Sequence, residues 1–207
     1  MLRDARRAST ALVLLVGLTG CAGIGQPAPY DSTGINGLVI PTPEPDPGDF
    51  VDVVDNPWFP LDAGATWRYE VTDAGREVGS IEASVLDRTT DIGGVEATGV
   101  TTATDIDGVT DVSTRYYAQD ADGNVWMVGA DDGGKDRGDW RAGEDGAEAG
   151  LAMPAHPRLG DGWLPYVVPG QPEASTTVED QSREMVQTHQ TGSAGIGQSE
   201  ADTTRNV

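Results

Sequence analysis

From residue 64 onward, apolar and polar positions alternate with a period of two. In "ATWRYEVT" Trp67, Tyr69 and Val71 fall on one side while Thr66, Arg68, Glu70 and Thr72 fall on the other, the pattern of a half-buried strand. "DAGR" (73–76) supplies a turn, and alternation resumes over 77–87 with Ile81, Ala83 and Val85; Gly79 marks a bulge near its start. Further turns are predicted at "DIGG" (91–94), "DIDG" (105–108), "DADGN" (120–124) and "DDGG" (131–134), because Gly accepts the positive φ of hairpin turns and Asp or Asn caps their backbone. The segments between are rich in Thr, Val and Tyr, which suit a pleated surface. The prediction is an all-β domain: a single antiparallel meander forming a curved sheet, half-barrel or sandwich.

Residues 135–162 break this rhythm and read as a Gly-rich loop insertion, with Trp140, Leu151 and Met153 as its inward contacts. "GWLPYVVP" (162–169) and "STTVEDQSREMVQTH" (175–189) predict returning strands, the first confined to an edge by Pro165 and Pro169. The β-rich domain is therefore expected over 56–189. Residues 190–207 offer little to bury and read as a loose tail or a truncated end.

The N-terminal twenty residues follow a different logic. Arg3, Arg6 and Arg7 precede the apolar run "ALVLLVGL" (11–18), too short to span a bilayer core of about 30 Å, and the layout is that of a secretory signal peptide. "LTGC" (Leu18, Thr19, Gly20, Cys21) resembles the lipobox of bacterial lipoproteins, in which cleavage precedes the cysteine and the thiol takes a diacylglycerol. Cys21 is the chain's only cysteine, so no disulfide staples the domain. Residues 21–55 carry six prolines, four of them alternating at Pro41, Pro43, Pro45 and Pro47, and read as an extended tether. The expected location is the extracytoplasmic side of a cell membrane, held by the lipid anchor.

Charge narrows the partners. The formal net charge is −21, from 34 Asp and Glu against 13 Lys and Arg; residues 1–20 hold three Arg and one Asp, so the remainder stands near −23. Such a surface repels phosphate backbones, which excludes nucleic acid as a partner and leaves an envelope partner or a small ligand.

Three segments carry a wider resemblance. "NPWFPL" with "GATWRYE", then "YYAQDADGNVWMVG", then "WRAGEDGAEAGLAMPAHPRLGD" resemble, in order over residues 56–161, a family of uncharacterised bacterial lipoproteins common in actinobacteria. The resemblance implies a lipid-anchored β-rich domain and brings no activity or ligand with it. Members of that family continue into a further Y-A-x-G-V-G hairpin that is missing here, which favours the truncated reading of the C-terminus.

Little in the chain points to covalent chemistry. Its two histidines, His156 in "PAHPR" and His189, stand near no nucleophile elbow, and the only lysine, Lys135, lies in "DGGKDRG" without the spacing of a phosphate loop. No catalytic residue is assigned, and "RGD" at 137–139 reads as chance in a Gly- and Asp-rich stretch. Asp120, Asp122 and Asn124 alternate as the first ligands of a calcium loop do, making calcium the one candidate cofactor and a calcium-dependent protein or hydrolase the second alternative. An EF-hand needs Gly at the sixth position and Glu at the twelfth; here the sixth is Val125 and the twelfth Asp131, and a plain Asp-Gly turn accounts for the same residues.

Non-covalent binding is the remaining class: a carrier holding a lipid or other small apolar ligand in a sheet concavity. Trp67, Tyr69, Tyr116 and Trp126 are the candidate lining, and core packing is the competing reading of the same four. Trp58 and Phe59, between Pro57 and Pro60, are expected to plug one end of the sheet.

Overall fold

Gly-containing turns close the hairpins that the alternation predicts. In the computed structural model, which describes residues 38–133, 138–182, 185–194 and 197–206, the chain forms strands β1 (Phe50–Val51), β2 (Thr66–Asp73), β3 (Arg76–Ile92), β4 (Val95–Ile106), β5 (Val109–Asp120) and β6 (Val125–Asp131). Positive φ angles at Ala74 and Gly75, at Gly93 and Gly94, and at Asp107 and Gly108 make the tight hairpin turns. Opposite Gly79 the β2–β3 register shifts between Val71 and Thr72, where the bulge was expected. A Cβ on Gly79 would collide with the Asp105 carbonyl, so only glycine fits there.

After β6 come β7 (Trp140–Arg141), β8 (Glu148–Met153), β9 (Gly162–Trp163), β10 (Tyr166–Val167), β11 (Ala174–Gln181), β12 (Met185–Ala194) and β13 (Gly197–Asn206). The larger sheet runs β10-β8-β6-β5-β4-β3-β2, with β1 on β5 and β7 on β6; the smaller runs β13-β12-β11-β9. All pairings are antiparallel, and the larger sheet stays open between β10 and β2. The short strands flanking Pro165 lie on the edges, as proline's missing N–H requires.

One hydrophobic cluster centres on Leu151, Trp126, Val128 and Trp140 and reaches Trp163, Val178 and Val186 of the smaller sheet, so the two sheets share a core. A second joins Val54, Phe59 and Leu61 to Val85, Val125 and Met153. Trp140, Leu151 and Met153 are buried, as expected of them.

Three expectations need correction. Within the supposed loop insertion, "EAGLAM" is β8, next to β6 in the larger sheet. It lacks alternation because nearly every position is covered, and Gly150 lies against the Leu164 and Pro165 backbone with no room for a Cβ. Residues 38–55, assigned to the tether, belong to the domain: Thr42 exchanges backbone hydrogen bonds of 2.9 and 2.8 Å with Ala149, while Leu38, Ile40 and Phe50 pack on the core. Residues between prolines keep their N–H groups and apolar side chains, and both are used. Instead of a loose tail, β12 continues to residue 194 and β13 pairs with it from Gly197 to Asn206, since backbone ladders need no apolar side chains.

The lipobox residues Leu18, Thr19, Gly20 and Cys21, the signal peptide and the tether up to residue 37 lie outside the described residues, as do Lys135 and Arg137. Leu151 is wholly buried, so Leu151→Ala should cost about 2–5 kcal/mol, read as a lower urea midpoint at unchanged slope.

Candidate functional site: an aromatic hollow over the larger sheet

Strand register decides which side chains meet. Trp67 pairs with Ala83 and Ala83 with Thr102; Tyr69 pairs with Ile81; Val85 pairs with Val100 and Val100 with Arg115; Thr98 pairs with Tyr117. Paired residues project to the same side of a sheet, so these define one face. Trp67 and Tyr69 on it are 36% and 54% exposed, too open for core.

The loop 54–61 lies over part of this face, pinned at Asn56. The Asn56 side-chain amide donates to the carbonyls of Gly123 (2.8 Å) and Pro154 (3.2 Å), and its Oδ1 accepts from the Trp58 N–H (2.8 Å). Gln119 Oε1 accepts the N–H groups of Asp55 and Asn56, at 3.0 and 2.7 Å, while Gln119 Nε2 donates to the Asp55 carboxylate. These bonds bring Trp58 and Phe59 over the sheet, beside Trp67 and Tyr69. Together with Val100 and Tyr117 the four aromatics line a hollow of about 470 Å³. Trp58 and Phe59 therefore wall a concavity as well as filling space.

A second hollow, of about 240 Å³, adjoins the first across Phe59 and Tyr117, whose ring centroids are 5.0 Å apart. It opens between the two sheets and is lined also by Arg115, Tyr166, Thr176, Thr188 and Gln190.

Tyr116 and Trp126 do not join this site. Both are buried in the cluster around Leu151, and Tyr116 projects to the opposite side from its neighbour Tyr117. The Tyr116 hydroxyl donates to Asp131 (2.7 Å), whose other oxygen pairs with Arg141 (2.7 Å), and the guanidinium stacks 4.7 Å above the Tyr116 ring. Burial chiefly, then the Asp131 carboxylate, pushes the Tyr116 hydroxyl above its usual pKa despite Arg141. Burial does the same at Tyr166, against the pull of Arg115.

Of the three candidate calcium residues, the side chains of Asp120 and Asn124 are occupied within the protein, and Asp122 is exposed at the turn. Asp120 Oδ1 accepts from the N–H groups of Asp122 (3.0 Å) and Asn124 (2.8 Å); Oδ2 accepts from Asn124 Nδ2 (2.9 Å) and Trp126 Nε1 (2.9 Å). Asn124 Oδ1 in turn accepts from the Ala155 N–H (2.9 Å). This carboxylate organises a turn, and among the described residues no three metal-ligating side chains converge. His156 is exposed, and His189 lies within β12 opposite Thr177.

The sequence reading missed Arg115 and Tyr117 and assigned Trp58 and Phe59 another role. Two aromatics held between Pro57 and Pro60 were the available signal; Tyr117 needed the strand register.

Asp120→Ala should lower stability by at least about 2 kcal/mol, because buried donors lose their acceptor, while millimolar calcium should leave the melting temperature of the unaltered chain unchanged. A calcium-dependent rise in that temperature would contradict this account of the turn. The raised folded pKa of Tyr116 stabilises the fold fully below about pH 10 and is lost as pH climbs through the folded value. Tyr116→Phe should therefore show a shallower fall in stability above that pH in denaturant titrations.

No family model, curated protein or solved structure matches this chain, so the chemistry of the hollow itself must indicate what it does.

Proposed function

We propose that this protein is an extracytoplasmic lipoprotein, anchored through a diacylglyceryl group on Cys21, whose β domain binds a small apolar ligand without catalysing a reaction. The observation that carries the binding half is the hollow of about 470 Å³ in which Trp67 and Tyr69 stay exposed beside Trp58. Sites for small molecules commonly occupy about 300–1,000 Å³ and combine apolar walls with a few placed polar groups. Exposed aromatics otherwise add a tendency to aggregate, and a wall of them is expected where something else covers it.

The anchor half rests on the lipobox resemblance. A two-chain lipid passes the threshold for stable attachment, at about 0.8 kcal/mol for each buried methylene, and would hold the domain at a membrane without a spanning helix. The resemblance to actinobacterial lipoproteins over 56–161 supports the same location.

Two measurements test these halves. Cys21→Ser should move the expressed protein from the membrane fraction to the soluble extracytoplasmic fraction; persistence in the membrane would count against the anchor. The neutral fluorophore N-phenyl-1-naphthylamine should bind the domain, and the double change Trp67→Ala, Tyr69→Ala should weaken it about tenfold, since each aromatic contact contributes about 0.5–1.5 kcal/mol. Equal binding by both forms would remove the hollow from consideration.

A further inference from the structure

We infer that the hollow takes a single-chain amphiphile with an anionic head, its chain among Trp58, Trp67 and Tyr69 and its head at Arg115; this rests on the binding role proposed above for the same site. The first observation concerns charge. In a chain with 34 acidic residues, no Asp or Glu among the described residues lines either of the two adjoining hollows. Carboxylates crowd the other side of the domain, where Glu44, Asp46, Asp49, Asp120 and Asp122 all border one depression.

The second observation is a cation at the junction. Arg115 lies directly across the β4–β5 ladder from Val100, which walls the first hollow, and it lines the second. It is exposed and makes no ion pair among the described residues, whereas Arg68 is paired with Glu82 at 3.0 Å and Arg141 with Asp131 at 2.7 Å. Neutral polar groups line the hollow with it, the hydroxyls of Thr176, Thr188 and Tyr166 and the amide of Gln190, while the Asp132 carboxylate acts on Tyr166 from outside that lining. A tyrosine hydroxyl is protonated at neutral pH with its ordinary pKa of about 10, so Tyr166 offers a neutral donor there.

The polarity of the two hollows therefore changes along one line. Aromatic walls occupy one end, the touching rings of Phe59 and Tyr117 border both hollows, and a guanidinium with neutral donors occupies the other. That gradient complements a molecule with an apolar tail and one acidic head. Volumes of about 470 and 240 Å³ suit one chain rather than two. The global charge of −21 repels an anion at a distance, but at physiological ionic strength that field decays within about 8 Å, so the groups lining the site decide.

Calorimetric titration with three probes of equal chain length tests the inference: dodecanoate, dodecanol and dodecyltrimethylammonium. Dodecanoate should bind about tenfold more tightly than dodecanol, the factor expected of one charge-assisted contact, and the cation should bind most weakly. Arg115→Gln should erase the preference for dodecanoate at unchanged melting temperature, and Arg115→Lys should retain most of it. Trp67→Ala should weaken all three probes alike. Equal affinity for dodecanoate and dodecanol, or a preference that survives Arg115→Gln, overturns the anionic head while leaving an apolar site intact. Failure of all three probes to bind overturns both this inference and the binding role beneath it.

Discussion

A buried polar hub at the β5–β6 turn is the constraint on which the rest depends. Asp120, Asn124, Asn56 and Gln119 are four buried polar residues drawn from two distant parts of the chain, and their hydrogen bonds interlock. A buried carboxylate without partners would be strongly unfavourable; here backbone, amide and indole donors satisfy it. The hub fixes three things together: the turn that starts β6, the departure of the chain after β8 through Ala155, and the position of the aromatic loop through Asn56. Without the last of these the hollow has no roof.

The hairpin architecture was legible in the sequence because its signals are local. Ala-Gly, Gly-Gly and Asp-Gly pairs take positive φ within two residues, and period-two alternation persists wherever one face of a strand meets water. Where both faces are covered, as at β8, small residues replace alternation and the strand looks like a loop. At β12 and β13 the ladder itself organises the backbone, and polar composition hides it.

The site was legible only in part, for a geometric reason. Tyr116 and Tyr117 are adjacent, so one must face the hollow and the other the opposite layer, and register alone chooses. The sequence offered Tyr116; pairing with Thr98 selects Tyr117. Trp67 and Tyr69 were correctly placed on a strand, but how much of them stays open depends on how far the 54–61 loop extends over β2. The alternating acids of "DADGN" were ambiguous for a different reason: a calcium loop and an Asx turn use the same spacing, and only the direction of the donors around Asp120 separates them.

The bond from Asn56 to the Pro154 carbonyl joins residues 98 positions apart. A chain that emerges N-terminus first therefore presents the aromatic loop long before the last of its docking partners arrives. Until residue 154 emerges the loop can dock only on Gln119, Gly123 and Tyr117, without its tie to the chain after β8, although the local hairpins from β2 to β5 can already form. Topology thus makes the roof of the hollow a part of the molecule that is completed late, and leaves its most adhesive residues without their last anchor while a further 98 residues emerge.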